Sequence, residues 1–375
     1  MGLRPGAGCR YNGKAMVMQR VVEGFAVETI DGWIFTVKGS LHPPDRWIAY
    51  LRYLPDPLGD RQREGLAYRR VYRFEDQVDL LRARHPEYLC NDPVLGIEAQ
   101  SVPRASVAAV HDPCAFLARL RRSGPADPVE EDALGLAGGL QEAAGVPWSG
   151  LGVSGSVMLG THRPASDLDL LVYGEGAGRA VHRAVAGLFR QAGGPVRPLD
   201  EKELRGLHAA HSPDTPLTFH DFARLQRRKV NEGRYRGRSF FLRFVKHPGE
   251  SDETYGDRRY RPVGPATVRA TVAGDGDAIW TPCRYALRQV TVLDGVMVDD
   301  LQEIVSFRGR FSDQARAGEI VEARGSVERV ACEPGKGHHR LVVGGQAGDW
   351  PVSYTHLRAH ETVLELVCRL LLDKN

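Results

Sequence analysis

Over the first third of the chain, hydrophobic and polar residues alternate in short runs. Phe25 to Ile30 and Trp33 to Lys38 flank Asp31-Gly32, and this spacing predicts a hairpin closed by a tight primed turn with positive φ at its central residues. A third strand is predicted from Trp47 to Leu54, and the pattern turns helical after Phe74. These elements predict a small α+β unit ending near Arg122. Ser123-Gly-Pro-Ala-Asp-Pro128 then punctuates the chain. Asp127 is placed to cap a helix, with Pro128 at its first position and Glu130-Glu131 favourable in its first turn.

The second unit reads as that helix to about Ala144, a short strand, a Gly-rich turn and a strand from Leu168 to Tyr173. A helix from Ala180 to Gln191, a strand from Pro195 to Leu199 and a helix from about Phe219 to Val230 follow. After Pro248 the pattern is strand-rich, with Ala266 to Val272, Gln289 to Leu293 and Glu319 to Val330 as strands. Turns at Asp275-Gly276 and Gly335 to Gly337 complete what reads as a small barrel. The predicted organisation is an N-terminal α+β domain (1–122), a central domain (123–247) and a β-rich C-terminal domain (248–350). Residues 1–20 are weakly patterned, and Met16 or Met18 is an alternative start.

Composition changes this picture little. The 375 residues are 42% hydrophobic and 26% charged, enough for two or three globular domains. Fifty Lys and Arg against 47 Asp and Glu leave a net charge of +3, so any polyanion-binding surface must be local. No run of about 18 apolar residues and no leader pattern is present, which predicts a cytoplasmic protein with no membrane partner. The six cysteines form no CxxC pair and have no histidine at metal-ligand spacing, so they are expected to be free, small core residues.

Chemistry concentrates in Gly152 to Gly174. Ser154-Gly155-Ser156 opens a helical turn whose free backbone N–H groups suit a phosphate. After ten intervening residues from Ser156, Asp167-Leu168-Asp169 begins an apolar strand, and residues two apart in a strand share a face. Two adjacent carboxylates repel unless a cation lies between them, and hard oxygen ligands suit magnesium. Arg163, beside His162 in the intervening loop, reads equally as a phosphate contact or a solvated charge. Arg224, Arg227, Arg228, Lys229, Arg234, Arg236 and Arg238 have one acid, Glu232, within their span and are interleaved with Tyr235, Phe240 and Phe241. That density fits either a nucleic-acid or triphosphate-binding face or a solvated helix-loop surface.

Gly155, Ser156, the ten-residue gap, Asp167 and Asp169 resemble the signature of the DNA polymerase β nucleotidyltransferase superfamily. Gly160 and Ser166 also stand where minimal members carry them. The resemblance implies an α/β nucleotidyltransferase core in which two Mg²⁺ ions on the carboxylates hold a nucleoside triphosphate, ATP among the possible substrates, for in-line attack at the α-phosphorus. It also implies a third carboxylate from the strand after the next helix. Asp200 is the candidate, with helix capping ahead of Glu201-Lys-Glu as its other reading. Over a longer span the chain is similar to an uncharacterised archaeal and bacterial family predicted to be nucleotidyltransferases. The residues concerned are Lys38 to Arg46, Ala49 to Tyr53, Tyr255 to Pro262 and Glu303 to Arg310. The implied activity is transfer of a nucleoside monophosphate to an acceptor hydroxyl, with RNA ahead of a protein or small molecule as acceptor. A protein- or metabolite-modifying adenylyltransferase and a catalytically silent nucleic-acid-binding protein are the alternatives. No protein partner is identifiable from sequence. Finally, residues 351–375 resemble translated sequencing adaptor, which predicts that the native sequence gives way near Trp350.

Overall fold

The computed structural model describes residues 21–212, 217–251, 253–333, 336–344 and 349–354. The weakly patterned residues 1–20, Gly335 of the second barrel turn and residues 355–375 of the adaptor-like segment lie outside the described residues. Among the described residues, seven α-helices and three sheets make a mixed α+β protein.

The N-terminal sheet contains β1 (Ala26–Thr29), β2 (Ile34–Val37), β3 (Arg46–Pro55), β4 (Arg61–Arg63), β5 (Leu66–Arg70), β6 (Leu89–Asp92), β7 (Ile97–Pro103) and β8 (Val107–His111), with α1 (Phe74–Arg84) between β5 and β6. Its order is β4-β5-β3-β2-β1-β8, and β7, itself paired with β6, joins the free edge of β3. The predicted hairpin is present but its turn is different. Gly32 N–H donates to Thr29 O and Thr29 N–H to Trp33 O, so three residues form the loop and only Gly32, at φ +77°, is left-handed. A three-residue loop with glycine in the left-handed position matches strand twist as well as a primed turn does.

The central unit comprises α2 (Pro113–Ser123), α3 (Pro128–Ala144), β9 (Leu151–Val153), α4 (Gly155–Leu159), β10 (Leu168–Tyr173), α5 (Glu175–Leu188), β11 (Val196–Arg197), α6 (Glu201–His211), α7 (Phe219–Gln226), β12 (Glu232–Tyr235) and β13 (Arg238–Val245). The sheet order is β11-β12-β13-β10-β9, with β10 and β13 parallel. Asp127 caps α3 as its position predicts, accepting from Val129 N–H at 2.8 Å and Glu130 N–H at 3.0 Å. Phe116, Leu117 and Leu120 of α2 pack into the central core, so this helix goes with the central sheet although it precedes residue 123.

The two faces of β10 have different neighbours. Leu168, Leu170 and Val172 join Phe240, Leu242 and Phe244 of β13 under α3 and α5. Leu171, Tyr173 and Val245 on the other face belong to the core of the N-terminal sheet. This alternation puts Asp169, in step with Leu171 and Tyr173, on the face turned toward the N-terminal domain.

The C-terminal unit contains β14 (Arg259–Gly274), β15 (Cys283–Gly295), β16 (Leu301–Ser306), β17 (Ile320–Glu333) and β18 (Lys336–Val342). Their order is β14-β15-β16-β18-β17, and β14 also pairs with β17, closing a five-stranded barrel in which only β16 and β18 run parallel. This is the Greek-key connectivity of OB-type barrels. β19 (Trp350–Tyr354), which begins the adaptor-like segment, adds along β17 through backbone pairing. Cys283 is buried in the barrel as expected of a core cysteine, whereas Cys332 is exposed and Cys90 and Cys114 are partly buried. All four are free.

Candidate functional site

The carboxylates and the Gly-Ser turn meet because β9 and β10 are antiparallel neighbours, with Val153 opposite Leu170. The chain leaves β9 with Ser154 N–H donating to Asp169 O at 2.8 Å, then enters α4, which ends at left-handed Gly160. Gly155 sits at φ +63°, and a Cβ there would lie 2.1 Å from Asp169 Oδ2. The turn therefore requires glycine twice over, for its backbone conformation and for the carboxylate pressed against it. Ser154 makes no side-chain cap to α4, and Ser156 is buried.

Asp167 is exposed just before β10, whereas Asp169 is partly buried one step inside it. Burial, with Asp167 adding repulsion, pushes the Asp169 carboxyl up to about 6, while Arg243 and Arg70 pull it down. Arg243 comes from β13, where it stands opposite Leu171, and Arg70 comes from β5 of the N-terminal sheet. Burial, with the Asp169 charge adding to it, raises the Tyr53 hydroxyl above its ordinary value. Behind Arg243 lies Glu23, 1% exposed, which accepts from Arg243 and from Gly39 N–H and pairs with Lys38 at 3.6 Å. These charges hold the Glu23 carboxyl below its ordinary range despite its burial.

Asp200 is elsewhere. It caps α6, accepting from Glu203 N–H at 2.9 Å while the Glu203 carboxylate accepts from Asp200 N–H at 2.8 Å, a reciprocal capping box. It follows β11, and β12 and β13 intervene before β10, roughly 14 Å at ordinary strand spacing. On β13, the strand next to the carboxylates, Phe241 stands opposite Asp169, and Arg243 rather than an acid shares its face. Among the described residues no group of three His, Cys, Asp or Glu could hold a metal ion. The expectation of a third acid at Asp200 is corrected accordingly, because helix capping and strand order take its carboxylate away from the pair.

Lys229 and Arg163 also have other partners. Lys229 is buried and donates to Arg310 O of the barrel unit. Arg163 donates to the Asp60 carboxylate at 2.9 Å, and His162 bonds Asp127 at 2.7 Å. Arg61 reaches Thr161 O at 3.4 Å, and Arg238 bonds Asp132, Pro164 O and Ser166 O. The loop that delivers Asp167 is thus latched from several elements. Most of the basic run is likewise paired with acids distant in sequence: Arg227 with Glu201, Arg228 with Glu319, Arg234 with Glu203 and Arg238 with Asp132. Ion pairs to distant acids thus engage most of that run, while Arg227 and Arg236 stay exposed to solvent. The sequence signal for Arg70, Arg243 and Glu23 was weak, since each comes from a different strand or turn and none stands in the Gly-Ser/Asp-x-Asp segment.

No family model matches the chain, and no solved structure matches it. It is similar to the protein named Uncharacterized protein MJ1086 of Methanocaldococcus jannaschii, at 28% identity over 326 residues that cover 85% of this chain and 94% of that protein. No helix of the described residues is long and apolar enough to cross a membrane.

Proposed function

We propose that this protein is a magnesium-dependent nucleotidyltransferase of polymerase-β type, moving a nucleoside monophosphate from a triphosphate to an acceptor hydroxyl, with RNA as acceptor. The observation that carries this reading is the contact between left-handed Gly155 and the Asp169 carboxylate, which sets a Gly-Ser turn directly beside the carboxylate pair. The donor set fits one hard divalent cation: two carboxylates two residues apart, one of them raised to about 6 by burial and by its neighbour. A bound cation would neutralise the pair and polarise the triphosphate. For a second ion the described residues provide no third carboxylate on this face.

In the step proposed, the acceptor oxygen bonds to the α-phosphorus, the bond to the β-phosphate oxygen breaks, pyrophosphate leaves and the hydroxyl proton passes to solvent. Asp167 and Asp169 would hold the cation, and the free N–H groups of the Ser154-Gly155-Ser156 turn would bind phosphate. Arg70 and Arg243 supply the remaining positive charge. Arg243 where an acid would complete a triad favours a second reading, in which the protein binds nucleic acid without transferring to it.

Incubation with labelled nucleoside triphosphates, Mg²⁺ and bulk RNA separates the two. Label entering RNA, and lost in the Asp167→Ala/Asp169→Ala double variant, supports transfer. RNA binding that is equal in both proteins, with no label incorporated, overturns it.

A further inference from the structure

Two of the exposed large rings in the molecule, Tyr72 at 63% and Phe74 at 40%, stand together where β5 leads into α1. The Arg70 guanidinium lies 4.5 Å from the Tyr72 ring centre and that of Arg52 lies 5.8 Å from it. The Tyr50 and Phe74 rings are 5.6 Å apart, and Lys38 stands 6.0 Å from the Tyr50 ring. Tyr50 and Arg52 share one face of β3, so these groups are contiguous.

Both ends of this run lie toward the carboxylate site: the Arg70 charge is felt at Asp169 through space, and Lys38 pairs with Glu23, which holds Arg243. Beside it opens a cavity of about 500 Å³ lined by Arg69, Arg70, Tyr72, Arg73, Asp76 and Asp79. Among the described residues neither Arg52 nor Arg70 has a carboxylate within ion-pair distance, and Arg70 Nε is buried without a hydrogen-bond partner.

We infer that this face of the N-terminal domain binds single-stranded RNA, with bases stacked on Tyr72 and Phe74, phosphates on Arg52 and Arg70, and one end of the strand directed at Asp167 and Asp169. Alternating cations and accessible rings are what an unpaired strand needs, because its bases expose faces for stacking while its phosphates need charge. A duplex hides those faces. The run extends across more side chains than one nucleotide can cover, so it reaches beyond the triphosphate subsite, with which it shares Arg70. Asp76 and Asp79 add acceptors suited to 2′-hydroxyls, which DNA lacks. The direction of the bound strand rests on the transferase reading, but binding itself does not.

Fluorescence anisotropy with a labelled single-stranded RNA of about twelve nucleotides, in EDTA and without nucleotide, measures binding apart from transfer. The Tyr72→Ala/Phe74→Ala variant is expected to weaken binding by about tenfold or more, and Tyr72→Phe to retain it. Arg52→Gln should lower the salt slope by about 0.7. Circular dichroism shows whether the double variant folds, and the single Tyr72→Ala variant, at an exposed position, repeats the measurement. Unchanged affinity in the Tyr72 variants, or equal affinity for single-stranded DNA or duplex RNA of the same sequence, overturns the inference. RNA binding sensitive to Tyr72 with no label transfer upholds it and sinks the transferase reading. Transfer to a small hydroxyl acceptor without RNA binding does the reverse.

Discussion

Asp169 is partly buried, faces a like charge two residues away, and is only partly compensated by arginines from two other strands. Its folded value of about 6 lies above the ordinary carboxyl value of 3.8, so protonation favours the native state. The destabilisation from this group is full above about pH 6 and fades as pH falls through 6 toward 4. Asp169→Asn should therefore melt about 2 °C or more above the native protein at pH 7.5 in EDTA, with the difference closing toward pH 4 in a pH series of thermal melts. Transfer should fall at least about a hundredfold in the same variant. Mg²⁺ binding by the native protein should weaken as pH drops below 6, measured by titration calorimetry. Gly155→Ala meets both a left-handed backbone and the Asp169 oxygen. It is expected to cost about 1–3 kcal/mol in urea unfolding and to lower nucleotide affinity.

Capping and strand pairing explain how far individual elements were legible. The cap of α3, the strand β10 and the five-residue α4 follow from local signals: Asp127 before Pro128, an unbroken apolar run, and glycine at positions that need it. Asp200 has two local readings that sequence leaves equal, and the capping box with Glu203 decides between them. Asp200→Ala should cost about 1 kcal/mol in stability while leaving transfer unchanged. A large loss of kcat with an unaltered melting curve would return Asp200 to the site. Glu203 carries more of this corner, because Arg197 first, then the Asp200 N–H and Arg234, hold its carboxyl near 2 despite partial burial. Its contribution is present above the unfolded carboxyl value and is lost as pH falls toward about 2, so Glu203→Gln should lower the melting temperature at neutral pH and flatten the acid limb of the stability profile.

At the scale of the whole molecule, the candidate site lies on a seam. One face of the central sheet packs on the N-terminal sheet, and Glu23, Lys38 and Arg243 tie the two together beside Asp169. Glu23→Gln removes the buried anion from two cations and is expected to destabilise by about 3 kcal/mol, read as a lower urea midpoint. It should also turn more of the Arg243 charge toward Asp169, shifting the acid limb of Mg²⁺ binding to lower pH. The barrel unit is attached by specific polar bonds, including Tyr255 to Asp92 at 2.7 Å and Arg228 to Glu319 at 2.9 Å. The Tyr- and Arg-rich segments flanking the central unit thus serve in part as latches between units.

The sequence alone determined the cap of α3, the strand β10 with its alternating faces, and the Gly-Ser turn ahead of two carboxylates. Those features depend on neighbours within a few residues, and local periodicity records them. Tertiary structure decided which charges surround the pair. Arg70, Arg243 and Glu23 are brought together by a parallel strand pairing and a domain seam, and the acids that neutralise the basic run lie as far as 106 residues away along the chain. Electrostatics acts through space, so a count of charges within a sequence window could not show the acids that pair with that run, and one strand order removed Asp200 from the site and put an arginine beside it.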